Sequence, residues 1–253
     1  MRRFLRISSL LTFFLIWEVI CRFGLVNPLF LSPPSTVLIT TGKLIKSGEL
    51  ITHISTSLYR AFLGFFLAAA IAIPHGILIA WSKNIDDITS PIVELFRPIP
   101  AVALIPVAIL WLGIGDASKI AIIAFACYFP IILNTISGVR QVDVTLLKVA
   151  KLFGANRLQT LTKIVLPSAF PFIMTGLRIS MAVALILLII TEMIGARAGL
   201  GFMIIDAEYT FKTERMFAGI FTIGFIGITL NEVMVRIEKR ATRWKREIRS
   251  VSF

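Results

Sequence analysis

Six stretches of this 253-residue chain are each long and apolar enough to fill the hydrocarbon layer of a bilayer. They cover residues 8–26, 57–81, 88–112, 118–138, 170–194 and 216–235. A helix rises about 1.5 Å per residue, so roughly 20 apolar residues cross about 30 Å of lipid. No water is available there to satisfy a free N–H or C=O, which leaves helices and closed barrels as the spanning forms. Runs of this length are helical. The chain is therefore predicted to be an all-α membrane protein of six transmembrane helices, a single membrane domain over residues 1–253. Charged residues make up only 16% of it, against about a quarter in soluble domains. The third stretch contains Pro98, Pro100 and Pro106. The backbone groups these prolines free need partners from neighbouring helices or a water-lined cavity, so this span is expected inside the bundle.

Charge placement orients the spans. Arg2, Arg3 and Arg6 flank the first span, and Arg236, Lys239, Arg240, Arg243, Lys245, Arg246 and Arg249 follow the last. The connection 139–167 adds Arg140, Lys148, Lys151, Arg157 and Lys163, and the short second loop adds Lys83. The opposite side holds Lys43, Lys46, Lys119, Arg197, Lys212 and Arg215. The positive-inside rule puts both termini and the 139–167 connection in the cytoplasm. The net charge of +12 sits at membrane flanks, which argues against a nucleic-acid partner. Three arginines before an apolar run resemble a signal peptide, but bulky Val-Asn-Pro-Leu-Phe at 26–30 offers no small-residue cleavage site. An uncleaved first span is expected. Cys21 and Cys127 lie singly in apolar spans, without metal-ligand spacing, and read as packing residues.

The 139–167 connection reads as helix, glycine break, helix. Leu146, Val149, Ala150 and Phe153 are expected on one face, with Lys148 and Lys151 turned away. Gly154 supplies the backbone freedom of the break, and a mixed helical pattern resumes at Arg157. A loop that builds amphipathic helices outside the bilayer is expected to have a partner there. The tail 236–248 places Ile237, Ala241, Trp244 and Ile248 among basic residues, a pattern that suits a helix on an anionic membrane surface.

Within the spans, Gly64, Ala68, Ala72 and Gly76 recur every fourth residue, as do Gly176, Ser180 and Ala184. Such stripes allow close helix approach, either inside one subunit or at a boundary between subunits. Ionisable residues in lipid are costly and mark function or pairing. Glu18 and Arg22 stand at i,i+4, the spacing of a self-satisfied pair. Arg97, between Glu94 and the Pro98/Pro100 break, either meets an anionic solute or anchors a helix end. Arg178 either lines a pathway or snorkels to the interface. Glu192, about 20 Å further along the same helix, either belongs to an outer gate or caps the amides of the Gly195–Gly199–Gly201 turn.

No Gly-x-x-x-x-Gly-Lys-Ser/Thr sequence is present to cradle ATP phosphates, so active transport would draw its energy from a separate subunit. His53 and His75 lack zinc-site neighbours, and no Gly-x-Ser-x-Gly elbow exists. No catalytic residue and no metal site is expected in this chain. An intramembrane hydrolase is disfavoured because Ser180 has no histidine placed as its base. An ATP-independent secondary transporter or channel is the alternative function, disfavoured by the lack of an inverted repeat.

Lys148-Val149-Ala150-Lys151-Leu152-Phe153-Gly154-Ala155, followed by Leu166-Pro167, resembles the "EAA" loop of the permease subunit of binding-protein-dependent ATP-binding-cassette importers. Ala150, Gly154, Leu166 and Pro167 match the pattern, while Lys148 stands where the pattern has Glu. Leu31-Ser32-Pro33-Pro34-Ser35, Phe96-Arg97-Pro98-Ile99-Pro100, Trp111-Leu112-Gly113-Ile114-Gly115, Thr175-Gly176-Leu177-Arg178, Glu192-Met193-Ile194-Gly195 and Gly199-Leu200-Gly201 follow in the order of its nitrate, sulfonate, taurine and vitamin-precursor branch. The resemblance implies a type I importer permease fold in a prokaryotic plasma (inner) membrane, and a second copy of the chain as partner. It further implies ATPase subunits holding ATP and Mg²⁺, and an extracytoplasmic solute-binding protein. The coupling residues implied are Lys148, Ala150, Lys151, Gly154, Ala155 and Arg157. Arg97, Pro98, Pro100, Arg178 and Glu192 are the expected pathway residues, and a small anionic or polar organic solute is the expected cargo.

Overall fold

The computed structural model describes residues 2–27 and 29–241, and no strand occurs among them. Helix α1 (Arg2–Arg22) occupies the first predicted span and stops at a turn where Gly24 takes φ 68°. Helix α2 (Pro34–Lys46) starts with proline at its first position, where the missing N–H costs nothing. Helix α3 (Glu49–Trp81) has 33 residues and begins eight residues before the predicted span. Its extra turns are amphipathic rather than uniformly apolar, which hid them from a hydropathy reading.

The third predicted span is not one helix. α4 (Lys83–Phe96) and the segment Ala101–Leu112 meet at an angle of 85°. That segment is a 3₁₀ turn (Ala101–Leu104) running into α5 (Ile105–Leu112). Arg97 is still helical (φ −54°, ψ −45°), but Pro98 and Pro100 remove two N–H donors and Pro100 takes extended angles (φ −63°, ψ 122°), so the chain turns a corner there. Helix α6 (Asp116–Arg140) matches the fourth span. A short helix α7 (Val144–Leu152) and a four-residue turn α8 (Arg157–Thr160) follow. A π-helical turn (Leu161–Val165) then leads into α9 (Leu166–Met193). Helices α10 (Leu200–Tyr209) and α11 (Thr213–Ala241) complete the order. Among the described residues α3, the continuous helix Arg157–Met193, α6 and α11 are each long and apolar enough to cross a membrane, and the bent pair makes a fifth if it is one span. In the predicted amphipathic tail, Arg236–Arg240 continue α11, while Trp244 and Ile248 lie outside the described residues.

The chain divides into two compact units, Met1–Tyr59 with Ile189–Ile226, and Arg60–Leu188 with Gly227–Phe253. In the first, Val37 and Leu44 of α2 pack with Leu50, Leu200, Met203 and Ala218. Trp17 of α1 meets Phe217 and Phe221 of α11 at ring-centroid distances of 5.4 and 5.7 Å. The expected Glu18–Arg22 pair forms at 2.7 Å. Glu18 also accepts from the backbone N–H of Ser35 (3.0 Å) and from its hydroxyl (2.7 Å). The acid therefore sits at the positive end of α2 as well as beside its own arginine.

The second unit is organised by close approach to α6. A Cβ added at Gly64 of α3 would lie 2.7 Å from Ile123, one at Gly76 2.9 Å from Thr135, and one at Gly176 of α9 2.9 Å from the Pro130 carbonyl. One at Gly138 of α6 would lie 2.7 Å from Cβ of Phe172. Ala68, Ala72, Ser180 and Ala184 are buried between these contacts. Of the two readings of the small-residue stripes, packing inside the subunit is the one realised. Cys127 packs there too: Ser180 Oγ donates to its carbonyl (2.9 Å) and its thiol donates to the Ser180 carbonyl (3.3 Å). Gly138→Leu overfills its contact and should cost about 1–3 kcal/mol, seen as a lower unfolding midpoint in detergent. Gly42→Ala, with open space around it, should leave the midpoint unchanged or raise it.

Candidate functional site

The 139–167 connection is held at every turn by local chemistry. Asp143 caps α7 by accepting the Thr145 amide at 2.7 Å, and that bond holds its carboxyl below the usual aspartate range. At the other end the Ala155 amide donates to the Ala150 carbonyl (3.0 Å) and the Gly154 amide to the Lys151 carbonyl (3.1 Å). This pair of bonds is the Schellman closure, which needs a left-handed residue just past the helix. Gly154 supplies it at φ 70°, with open space where a Cβ would be, so the backbone angle and not crowding demands glycine. Next comes a capping box, in which the Gln159 amide donates to Asn156 Oδ1 (2.8 Å) and the Asn156 amide to Gln159 Oε1 (2.9 Å).

The face that α7 turns outward differs from the expected one. Ala150 is 5% exposed, and Leu147 packs on the core of Val139, Val142, Val165 and Ala169. Opposite them lie Val144, Lys148 and Leu152 at i,i+4,i+8, flanked by Val149 and Lys151. Leu152 and Phe153 are each 86% exposed, and Leu158 across the break is 69% exposed. Lys148 and Lys151 thus accompany the apolar surface instead of turning away from it. The helical period holds, and the inward face is the one that buries small Ala150 and packs Leu147 on the core.

At the other end of α9, Glu192 is 0% exposed. Its carboxylate accepts from Ser57 Oγ (2.9 and 2.8 Å) and from the Gly201 amide (2.9 Å). Ser57 Oγ in turn accepts the Leu200 amide (2.8 Å), and His53 Nδ1 accepts the Gly199 amide (3.1 Å). Three successive amides opening α10 are thereby satisfied, as a buried helix start requires. A Cβ at Gly199 would collide with the Glu192 carboxyl, and one at Gly201 would sit 2.6 Å from the Ile189 carbonyl. Of the two readings of Glu192, the geometry is that of the cap. His53 and Ser57, one turn apart on α3, carry no motif, and hydropathy reading passed over them. Glu49 extends the network by pairing with Arg215.

The remaining predicted residues do not converge. Arg97 is exposed at the corner with Pro98 and Pro100, and among the described residues it pairs with no acid, Glu94 included. Arg178 is held by Glu238 of α11 at 3.0 Å. An apolar cavity of about 440 Å³ lies beside the corner, lined by Leu67, Ile71, Phe96, Phe125 and Phe129. His75 and Tyr128 share a 2.6 Å hydrogen bond in its wall. Among the described residues no cluster could hold a metal.

Two expectations follow. Glu192→Ala leaves Ser57 Oγ and the Gly201 amide without their acceptor and should cost about 3 kcal/mol, with a cysteine introduced by Ala196→Cys becoming more reactive to a maleimide than in the Glu192 background. Asp143→Ala should speed amide exchange at Thr145 relative to wild type at neutral pH. A lowered carboxyl pKa means the cap persists above the ordinary aspartate range and is lost only as pH falls through the lowered value. The difference between the two proteins should therefore vanish in acid.

The profile of the family described as "Binding-protein-dependent transport system inner membrane component" matches residues 72–243. The putative aliphatic sulfonates transport permease SsuC of Bacillus subtilis is 36% identical over 230 residues, 91% of this chain and 83% of its own length. The taurine transport system permease TauC of Escherichia coli is 35% identical over 249 residues, 96% and 90% of the two chains. The inward-facing MetNI methionine transporter shares the fold, with a TM-score of 0.70 at 20% identity over 78% of this chain and 98% of that one. This chain belongs to the family of inner membrane components of binding-protein-dependent transport systems: it is a multi-pass permease subunit of an ATP-driven importer whose ATP hydrolysis lies in a separate subunit.

Proposed function

We propose that the permease imports a small organic anion of the sulfonate or taurine kind, delivered by a solute-binding protein, and that the 139–167 connection is its coupling element. The observation that carries the coupling reading is the Leu152–Phe153 knob, which is almost fully exposed on a helix whose opposite face is buried. Exposed apolar pairs on a rigid support mark a docking surface. The surplus of lysine and arginine on that side supports a cytoplasmic position for the connection and both termini. Two copies of the chain enclose the pathway, and ATP and Mg²⁺ bind the partner ATPase subunits.

In this mechanism Lys148, Lys151 and Arg157 lie on the docking surface. Ala150 seats α7 on its own subunit, while Gly154 and Ala155 close the turn. Closure of the ATPases moves the two connections together and alternates the opening of the pathway. Arg97 at the Pro98/Pro100 corner offers positive charge to the anion, Arg178 lines the pathway with its charge matched by Glu238, and Glu192 fixes the loop that opens α10. The substrate class is supported by the two relatives, whose names give aliphatic sulfonates and taurine as their cargo.

The test is uptake by proteoliposomes holding the permease, its ATPase and its binding protein, with taurine and short alkanesulfonates as cargo. Wild type should accumulate one of them only with ATP. Replacing both Leu152 and Phe153 by Asp should cost about 2 kcal/mol or more of docking energy, roughly 30-fold in ATPase affinity. Membrane insertion should be unchanged. Full uptake by that variant would exclude the coupling assignment.

A further inference from the structure

The docking surface is basic as well as apolar. Residues 144–163 hold four basic side chains, Lys148, Lys151, Arg157 and Lys163, and no acidic one. All four are exposed, and among the described residues none is engaged in an ion pair. A second observation concerns the short loop after α3. A polar cleft of about 410 Å³ is lined by Trp81, Ser82, Lys83, Asn84 and Arg157. Lys83 is likewise exposed and without an ion pair among the described residues. Two cations converge there from sequence positions 74 residues apart, beside hydroxyl and amide groups that hydrogen-bond an oxyanion.

We propose that the ATPase surface received by this permease is acidic, with one carboxylate seated between Lys83 and Arg157 and a second facing Lys148. The inference rests on the coupling reading above and adds the sign of the partner's charge. Several like charges left unpaired around an exposed apolar centre are stabilised by an opposite potential brought by the partner. The surface has the anatomy of a protein interface, with Leu152, Phe153 and Leu158 at its centre and cations at its rim. A guanidinium and an ammonium flanking one cleft make strong charge-assisted bonds to a carboxylate. Lys148 stands where the resembled pattern carries Glu, so the partner's complement is opposite in sign to the one a glutamate would select.

The experiment uses the full permease in nanodiscs with the purified ATPase subunit of its importer. A carbodiimide, which joins amines to carboxylates without a spacer, should link Lys83 or Lys148 to an Asp or Glu of the ATPase. The double reversal Lys83→Glu with Arg157→Glu should weaken ATPase binding about tenfold or more at low salt. It should also flatten the salt dependence of binding. Replacing the cross-linked acid of the ATPase by lysine should restore affinity to the reversed permease and not to the wild type. Unchanged affinity and salt dependence in the double reversal would overturn the proposal. So would cross-links absent at both lysines, or a loss confined to binding of phosphatidylglycerol vesicles, which would assign the cleft to a lipid headgroup. A wild-type chain that neither binds the ATPase nor supports ATP-driven uptake would remove the coupling reading itself, a result distinct from the other three.

Discussion

Lipid tails are as apolar as leucine, so nothing like the hydrophobic effect presses helices together within a bilayer. What remains is close contact, and in the Arg60–Leu188 unit that contact runs through α6. Gly64 and Gly76 let α3 touch it, and Gly138 and Gly176 let α9 do so. Each contact is near the limit of van der Waals approach, where one added carbon forces backbone to move. The 139–167 connection inherits its rigidity from this packing. It leaves α6 two residues after Gly138, and Phe172, five residues past its far end, closes against that glycine. A loop seated at both ends can carry a displacement into the bundle, whereas a slack one would absorb it.

The two ends of α9 are built from different chemistry. Towards the connection the chain satisfies its own backbone with short-range devices: an aspartate cap, a left-handed glycine and a reciprocal capping box. These leave the side chains of Lys148, Leu152 and Phe153 free to face outward. Around Glu192 the arrangement is reversed. A buried carboxylate, two α3 side chains and three backbone amides are spent on one another, so the turn that opens α10 is fixed. A buried acid is tolerable because its oxygens are hydrogen-bonded. One end leaves its side chains facing outward, and the other is closed on itself.

Much of this was legible in the chain. Hydropathy found the long helices because a bilayer imposes a length, and the Gly154 break was readable because a Schellman turn needs a left-handed residue. Ala150, Gly154 and Ala155 fall where that turn places them. The direction of α7 was not legible: a 3.6-residue period names faces but not which one is inward, and the inward one is that of Ala150 and Leu147. Pro98, Pro100 and Pro106 marked the stretch 88–112 as one whose backbone needs outside partners, but hydropathy does not tell a kinked span from one that turns by 85°. Helices α2 and α10 were missed because each buries a short stripe without a long apolar run. The roles of His53 and Ser57 were invisible because they depend on amides 146 and 143 residues away, which no local pattern reports.

The π-helical turn at Leu161–Val165 bears on how Arg157 and Leu158 are aimed. In such a turn the Leu166 amide reaches the Leu161 carbonyl, one residue further back than in an α-helix. The insertion is equivalent to one surplus residue, and an α-helix advances about 100° per residue. Arg157 and Leu158 therefore point about a quarter of a revolution away from where an unbroken α-helix would set them. A chain shortened by a single residue in this turn could keep every hydrogen bond and every span, yet swing Arg157 off Lys83. The bearing of the Lys83–Arg157 cleft is stored in one bulge of backbone, and relatives with and without it would present their charges to different quarters.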